Sequence, residues 1–451
     1  MKVTGIALRT PPGAKDNPEV TPELLASCLA KYSRSNKGLD TILASIDWSD
    51  PDRSVDSIFK FVDYGHASIT GMTGGIAIAI DGLSMFLAYK IFEIAQLCDG
   101  QESSTRYIRL DRTSLPQAQD IGIPPSLEKE WQELMEVSFD MYHTVYQKLD
   151  NAAQKDPSLI ALPQGTDQKI VDRMRRNYAL DRARYLIPFA TRTNAAYIMT
   201  ARVWAETVRQ LDSLPVAEAR ECAKLIRAEL EKFVPRMVKH SFPTEASQAQ
   251  ASSMLSYAVE TIKNSGAGIQ NIKNEVFVSV DDHMPSFLEP MQSFQDAFRG
   301  KVNRYSLTGT AVNRIMVRAA WNNMAIAELR DLNRHRSGFR ISPLVPAGFY
   351  LPREVCQESV LPLLQKHKAL TEKLASESDG SSFYYALLLG TQTPFEHSTH
   401  LDKFIYEIEL RTGLGAHFRY AEHLRDACNK LLNLRPQLKP YIDIGDAEPE
   451  F

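Results

Sequence analysis

The chain has 451 residues, 44% hydrophobic and 24% charged, which suits a globular protein of two domains with a sizeable core. Its formal charge of -3 excludes a global pull toward nucleic acid or an anionic membrane, so any anion site must be local. No apolar run reaches membrane-spanning length, and five scattered cysteines without a C-x-x-C pair speak against a disulfide framework or a structural zinc, so the expected setting is cytoplasmic.

Along the chain, GHASITGM (65–72) presents His66 and Ser68, and GIAIAI (75–80) predicts a strand, being short and β-branched. GLSMFLAYKIFEIAQL (82–97) predicts an apolar helix that runs into a polar loop, QESSTRY (101–107). SLEKEWQELMEVSFDMYHTVYQKL (126–149) spaces apolar residues three and four apart with charge opposite, as an amphipathic helix does. DRMRRNYALDRARY (172–185) mixes its arginines with acids, which favours a solvated helix face over an RNA-binding one. VAEARECAKLIRAELEKFVPRMV (216–238) reads as another amphipathic helix, and SFPTEASQAQASS (241–253) as a linker. That linker would divide the chain into 1–245 and 254–451, each long enough for its own core.

Beyond it, NEVFVSV (274–280) predicts a strand, and AAWNNMAIAELRDLNRHR (319–336) a helix with a cationic end. Arg334, His335 and Arg336 put three potential cations there, suited to a helix macrodipole or to a bound anion. VLPLLQKHKALTEKLA (360–375) and HFRYAEHLRDACNKLLNL (417–434) have helical periodicity. TPFEHSTH (393–400) sets His-x-x-His beside Glu396 but lacks a third ligand, so helix-entry residues are expected rather than a metal site. An apolar helix with a polar end is followed in each half by a later segment, RARYLIPFATRTNAAYIMTARVW in one and LDKFIYEIELRTG in the other. That recurring order reads as a diverged internal duplication.

These segments resemble the signature of the flavin-dependent thymidylate synthases, divided between the two halves. The family has a helix ending in Arg-His-Arg, a Ser-x-Asn-Glu-x-Ser-x-Arg-Tyr loop, an Ala-Arg-x-x-x-Pro segment, an Asn-x-Arg helix and a Leu-Arg. QESSTRY matches the loop, with Gln101 in the Asn place, Thr105 at a variable one, and Glu102, Ser104, Arg106 and Tyr107 in register. ARYLIP supplies Arg184 and TARVW supplies Arg202, while RHR and ELR supply Arg334, His335, Arg336 and Arg411. Asp331 stands where the family usually has Gln, and Gly71 and Met72 replace its Glu-His.

The resemblance implies an α+β fold of two thymidylate-synthase-complementing-protein-like halves, each with helices on a small sheet, fused as a pseudodimer. A homodimer of this chain would then rebuild the family's tetramer. It further implies C5 methylation of dUMP to dTMP with FAD, NADPH and a folate one-carbon donor, methylenetetrahydrofolate, and no metal. Arg334, Arg411 and Arg106 take the catalytic places. Glu102, Ser104, Thr105, Arg106, Arg184 and Arg411 take the substrate contacts. Arg334, His335, Arg336, Gln101, Glu102, His66, Ser68 and Arg202 take the cofactor contacts. One composite site, drawing on both halves, would explain the divided signature. Two alternatives stay open: a related flavoenzyme using another pyrimidine nucleotide or carbon donor, and an inactive nucleotide-binding scaffold.

Overall fold

Residues 22–59, 75–95, 97–160, 167–233, 238–288, 293–377, 380–413 and 415–445 are described by the computed structural model. The fold is mixed helix and sheet, in two units: Met1–Pro116 with Thr191–Ala251, and Gln117–Ala190 with Ser252–Phe451. Among the described residues no helix is long and apolar enough to cross a membrane.

In the first unit, strands β1 (Ile76–Ser84), β2 (Asp99–Glu102) and β3 (Arg192–Met199) form an antiparallel sheet in the order β1-β3-β2. Gly100 lets β2 approach: a Cβ there would meet Ala196 O at 2.4 Å. Ser84 ends β1 and caps the helix Met85–Ile94, accepting from Leu87 N, while Glu218 accepts from Ser84 N and Oγ. Helices Pro22–Tyr32, Leu39–Ala44 and Pro51–Phe59 bury an apolar cluster that reaches Ala196 and Ile198 of β3.

The second unit holds strands β4 (Val276–Asp281), β5 (Met316–Ala325), β6 (Phe339–Ile341), β7 (Gly348–Phe349) and β8 (Thr391–His400). Their antiparallel order is β4-β5-β8-β6, with β7 also on β8. Alternate residues of β5 face inward, and Trp321 among them donates its indole N–H to His423 O on the helix Phe418–Leu434. Each fully buried side chain of this size contributes roughly 1.5–3 kcal/mol. The long helix Glu128–Lys155 lies in this unit, and its Trp131 donates to Tyr385 O.

Two segments 200 residues apart face each other here. Pro188 bridges Leu388 antiparallel, Phe189 N donates to Leu387 O at 2.8 Å, and Leu389 N donates to Ile187 O at 2.9 Å. YLIPFA (185–190) thus meets YALLLG (385–390) through equivalent positions, as a local two-fold would place them.

Three expectations are corrected. The stretch 241–253 is no linker: the helix Glu245–Ser265 runs through it, started by Thr244, whose Oγ1 accepts from Ser247 N. Ala and Gln are adequate helix formers, and the packing boundary at Ala251/Ser252 falls inside the helix. Segment 117–190 also packs with the C-terminal residues, so the units are not the pieces 1–245 and 254–451. Finally, 319–325 is strand rather than helix, because β8 pairs it residue for residue from Ala319↔His397 to Trp321↔Phe395. TPFEHSTH runs through β8 and leads into the helix Leu401–Thr412, which His400 caps.

Candidate functional site

The Arg-His-Arg triplet occupies a turn, not a helix end. The helix Ile326–Leu332 stops where Asn333 caps it, donating its N–H to Leu329 O. His335 N then donates to Leu332 O at 2.9 Å, and the chain turns through Gly338 at φ +91 into β6. A Cβ on Gly338 would lie 2.1 Å from Ser398 O, so only glycine fits. The Arg340 guanidinium, in β6, donates back to Asn333 O and ties strand to turn.

Arg411, on the helix Leu401–Thr412, clasps this turn. Its Nε donates to His335 Nε2 at 2.7 Å and its Nη2 to Asp331 O at 3.0 Å. Because Nε2 accepts, the imidazole is neutral with its proton on Nδ1. Burial, aided by the charges of Arg411 and Arg336 and opposed by Glu407, holds His335 down at about 3. The expected triplet of cations is therefore two half-buried guanidiniums, Arg334 and Arg336, around a neutral ring. The Arg411 guanidinium also lies 5.3 Å from the centre of the Tyr420 ring.

Asp331 joins this turn to Arg184. Its carboxylate sits 3.1 Å from Arg184 Nη1, while its carbonyl takes Arg411. The charge that stands where the family has Gln is thus paired. Arg184 is 1% exposed, and its Nε and Nη2 are buried without a partner. Burial opposes its charge, but Asp331, Tyr185, Asp181 and Glu328 more than offset that. Glu328 is three residues before Asp331 and so on the same helix face. It is fully buried and accepts from the Tyr185 hydroxyl. Burial pushes its carboxyl up to about 7 against the pull of Arg184 and Tyr185.

On the other side of His335, His397 Nδ1 lies 2.8 Å from Glu407 Oε2, and its Nε2 donates to Ser337 O at 2.9 Å. Burial alone would raise Glu407, but His335, His397 and Arg411 hold it down at about 2. Glu328, Tyr185 and Glu407 escaped the sequence reading, and His397 stood in it only as part of a His-x-x-His spacing. The available signal was Glu407 four residues before Arg411, one helical turn away.

In the first unit, Gln101 and Glu102 end β2 opposite Ala196 and Ala195, Ser103 N still donates to Asn194 O of β3, and a turn follows at Thr105–Tyr107. Ser104 organises the turn: its N donates to Ser33 O, its Oγ accepts from Arg106 N, and its carbonyl accepts from Tyr107 N and Ile108 N. Glu102 and Thr105 are buried, Arg106 is half-buried, and Arg202 is exposed in the first turn of the helix Ala201–Ser213. The structure thus gathers Arg184, Arg334, His335, Arg336 and Arg411 in one unit and places Gln101, Glu102, Ser104, Thr105, Arg106 and Arg202 in the other. His66 and Ser68 lie outside the described residues.

The donor set suits phosphate and carbonyl oxygens, since guanidiniums only donate and Arg184 keeps its Nε and Nη2 buried without a partner. Among the described residues no group of three or more His, Cys, Asp or Glu could hold a metal. Residues 19–236 match the family model described as thymidylate synthase complementing protein, a stretch that holds QESSTRY, ARYLIP and TARVW but neither RHR nor ELR. A UPF0159 protein of Thermoplasma acidophilum is 22% identical over 86% of this chain and 88% of its own length. A UPF0159 protein of Chlamydia pneumoniae is 26% identical over 51% of this chain and 46% of its own.

Proposed function

We propose that this chain, a diverged relative of the thymidylate synthase complementing proteins over residues 19–236, is a flavin-dependent methyltransferase that converts dUMP to dTMP. The observation that carries this reading is the clasped turn. Arg411 fixes His335 in one neutral tautomer, so Arg334 and Arg336 flank a ring that adds no third charge. Bound FAD, recharged by NADPH, would supply hydride, and methylenetetrahydrofolate the carbon. Arg334, His335 and Arg336 hold cofactor acceptors, and Arg411 meets the pyrimidine and steadies negative charge developing on it. Arg184 acts from behind, orienting Asp331 and through it Arg411. In the first unit, Ser104, Thr105 and Arg106 take nucleotide oxygens, Glu102 contacts both nucleotide and flavin, and Gln101, Arg202, His66 and Ser68 contact the flavin.

This chemistry needs no protein thiolate. Burial raises the Cys28 thiol to about 11 and, with nearby carboxylates adding, Cys222 and Cys428 to about 12, which makes them poor nucleophiles at neutral pH. The reading includes tandem duplication, supported by the matching orders β1-β3-β2 and β5-β8-β6 and by the segments 185–193 and 385–393. A homodimer would then hold four related halves.

One observation favours a rival. Arg184 is withdrawn into an ion pair instead of presenting its charge to solvent, which suits a relative that takes another pyrimidine nucleotide or carbon donor. The test is the visible absorbance of the purified protein and its titration with FAD, followed by deuterium transfer from labelled reductant to dUMP, UMP or dCMP. Absence of flavin binding would leave a nucleotide-binding scaffold, and transfer to UMP or dCMP alone would establish the rival.

A further inference from the structure

The five-stranded sheet ends at β4, and among the described residues the outer edge of this strand carries no backbone hydrogen bond. Asn322 N donates to Glu275 O, so odd-numbered residues turn their backbone toward β5. The N–H and C=O groups of Val276, Val278 and Val280 therefore point outward. The strand itself, VFVSVD, has no proline and no bulge, and only its last residue is charged, so it lacks the usual devices that blunt an edge. Lys273, Glu275, Phe277 and Asp281 are exposed, Phe277 at 56%.

The sequence around this edge is complementary to itself in one register. Antiparallel pairing about a two-fold at Phe277 sets Val276 opposite Val278 and Asn274 opposite Val280, all at outward-pointing positions that can exchange hydrogen bonds. Phe277 then meets its own copy in a non-hydrogen-bonded pair, where side chains come closest. Lys273 falls opposite Asp281, twice by symmetry. Centring on Val278 instead would oppose Glu275 to Asp281, two repulsions.

We propose that β4 is a homodimerisation edge, along which two copies of this chain join their sheets antiparallel about Phe277. The occupant is a second copy because the charge match is with the strand's own sequence. Each copy contributes Lys273 and Asp281 to opposite ends of one short ladder.

Sedimentation velocity of the full chain, over roughly two decades of concentration, tests this. The wild type should sediment as a dimer. Val278→Pro removes an outward N–H without touching the β5 ladder, so it should give a monomer with unchanged circular dichroism. Lys273→Glu and Asp281→Lys should each weaken the dimer about tenfold, and the double exchange should restore it. A wild type that stays monomeric would overturn the proposal, as would wild-type mass in a folded Val278→Pro. So would a double exchange no tighter than either single one. Should Val278→Pro fail to fold, the exposed charge exchanges decide alone.

Discussion

Glu328→Gln should stabilise the protein increasingly as pH rises, although it removes a buried acid beside an arginine. Burial pushes the Glu328 carboxyl from its ordinary 4.5 up to about 7 in the folded chain. Below 4.5 the group is protonated in both states and adds no pH dependence. Between 4.5 and 7 the unfolded chain loses the proton while the folded chain keeps it, so stability falls as pH rises and the loss levels off above 7. The difference of 7 − 4.5 corresponds to about 3 kcal/mol at roughly 1.4 kcal/mol per unit. Glutamine keeps an oxygen for the Tyr185 hydroxyl and never ionises. Urea unfolding of both proteins at about pH 5, 6, 7 and 8, followed by tryptophan fluorescence, measures the difference directly. It should grow across that range in favour of the variant. A constant difference, or one that shrinks toward about pH 8, would refute the burial argument, as the other titrating groups cancel between the two proteins.

His335, held at about 3, should make the fold acid-sensitive. Its folded value lies below its unfolded 6.5, so stability is lost as pH falls from 6.5 toward 3, at up to about 1.4 kcal/mol per unit. Depressed Glu407 adds loss in the same direction below 4.5, and His335→Gln should flatten the slope above that in acid unfolding curves. Replacing Arg334 and Arg336 together by Ala should abolish flavin retention with circular dichroism unchanged; flavin content equal to wild type would defeat that assignment. Arg106→Ala should weaken nucleotide binding by roughly 1.5–3 kcal/mol, about ten- to a hundredfold by calorimetry. Arg411→Leu would strand the buried His335 acceptor and should destabilise by about 1–3 kcal/mol, visible as a lower unfolding midpoint.

How much of this was legible depended on the range of the interaction. GIAIAI and NEVFVSV read as strands because short β-branched runs announce themselves locally, and the long helices did so by periodicity. The segment 319–325 misled because its spacing also fits a helix; only β8, distant in the chain, makes it a strand. His335 and Arg411 stood in recognisable motifs, and the fold brings them to 2.7 Å across 76 positions. What no motif could give was the charge state of His335, set by burial, or the pairing of Arg184 with Asp331 across 147 positions. Glu407 was hidden for the same reason, being an ordinary residue until packed against His397.

The antiparallel bridge between Pro188 and Leu388 bears on how the protein is made. At about 5–20 residues per second of synthesis, the 200 positions between them correspond to roughly 10–40 s in which 185–190 has left the ribosome without its partner strand. Tyr185, Ile187 and Phe189, all fully buried in the finished fold, are apolar surface that a chaperone would find during that interval. Contacts of such sequence separation also carry a large closure entropy and slow folding, so the Gln117–Ala190 segment should be the last part of its unit to acquire hydrogen-exchange protection on refolding.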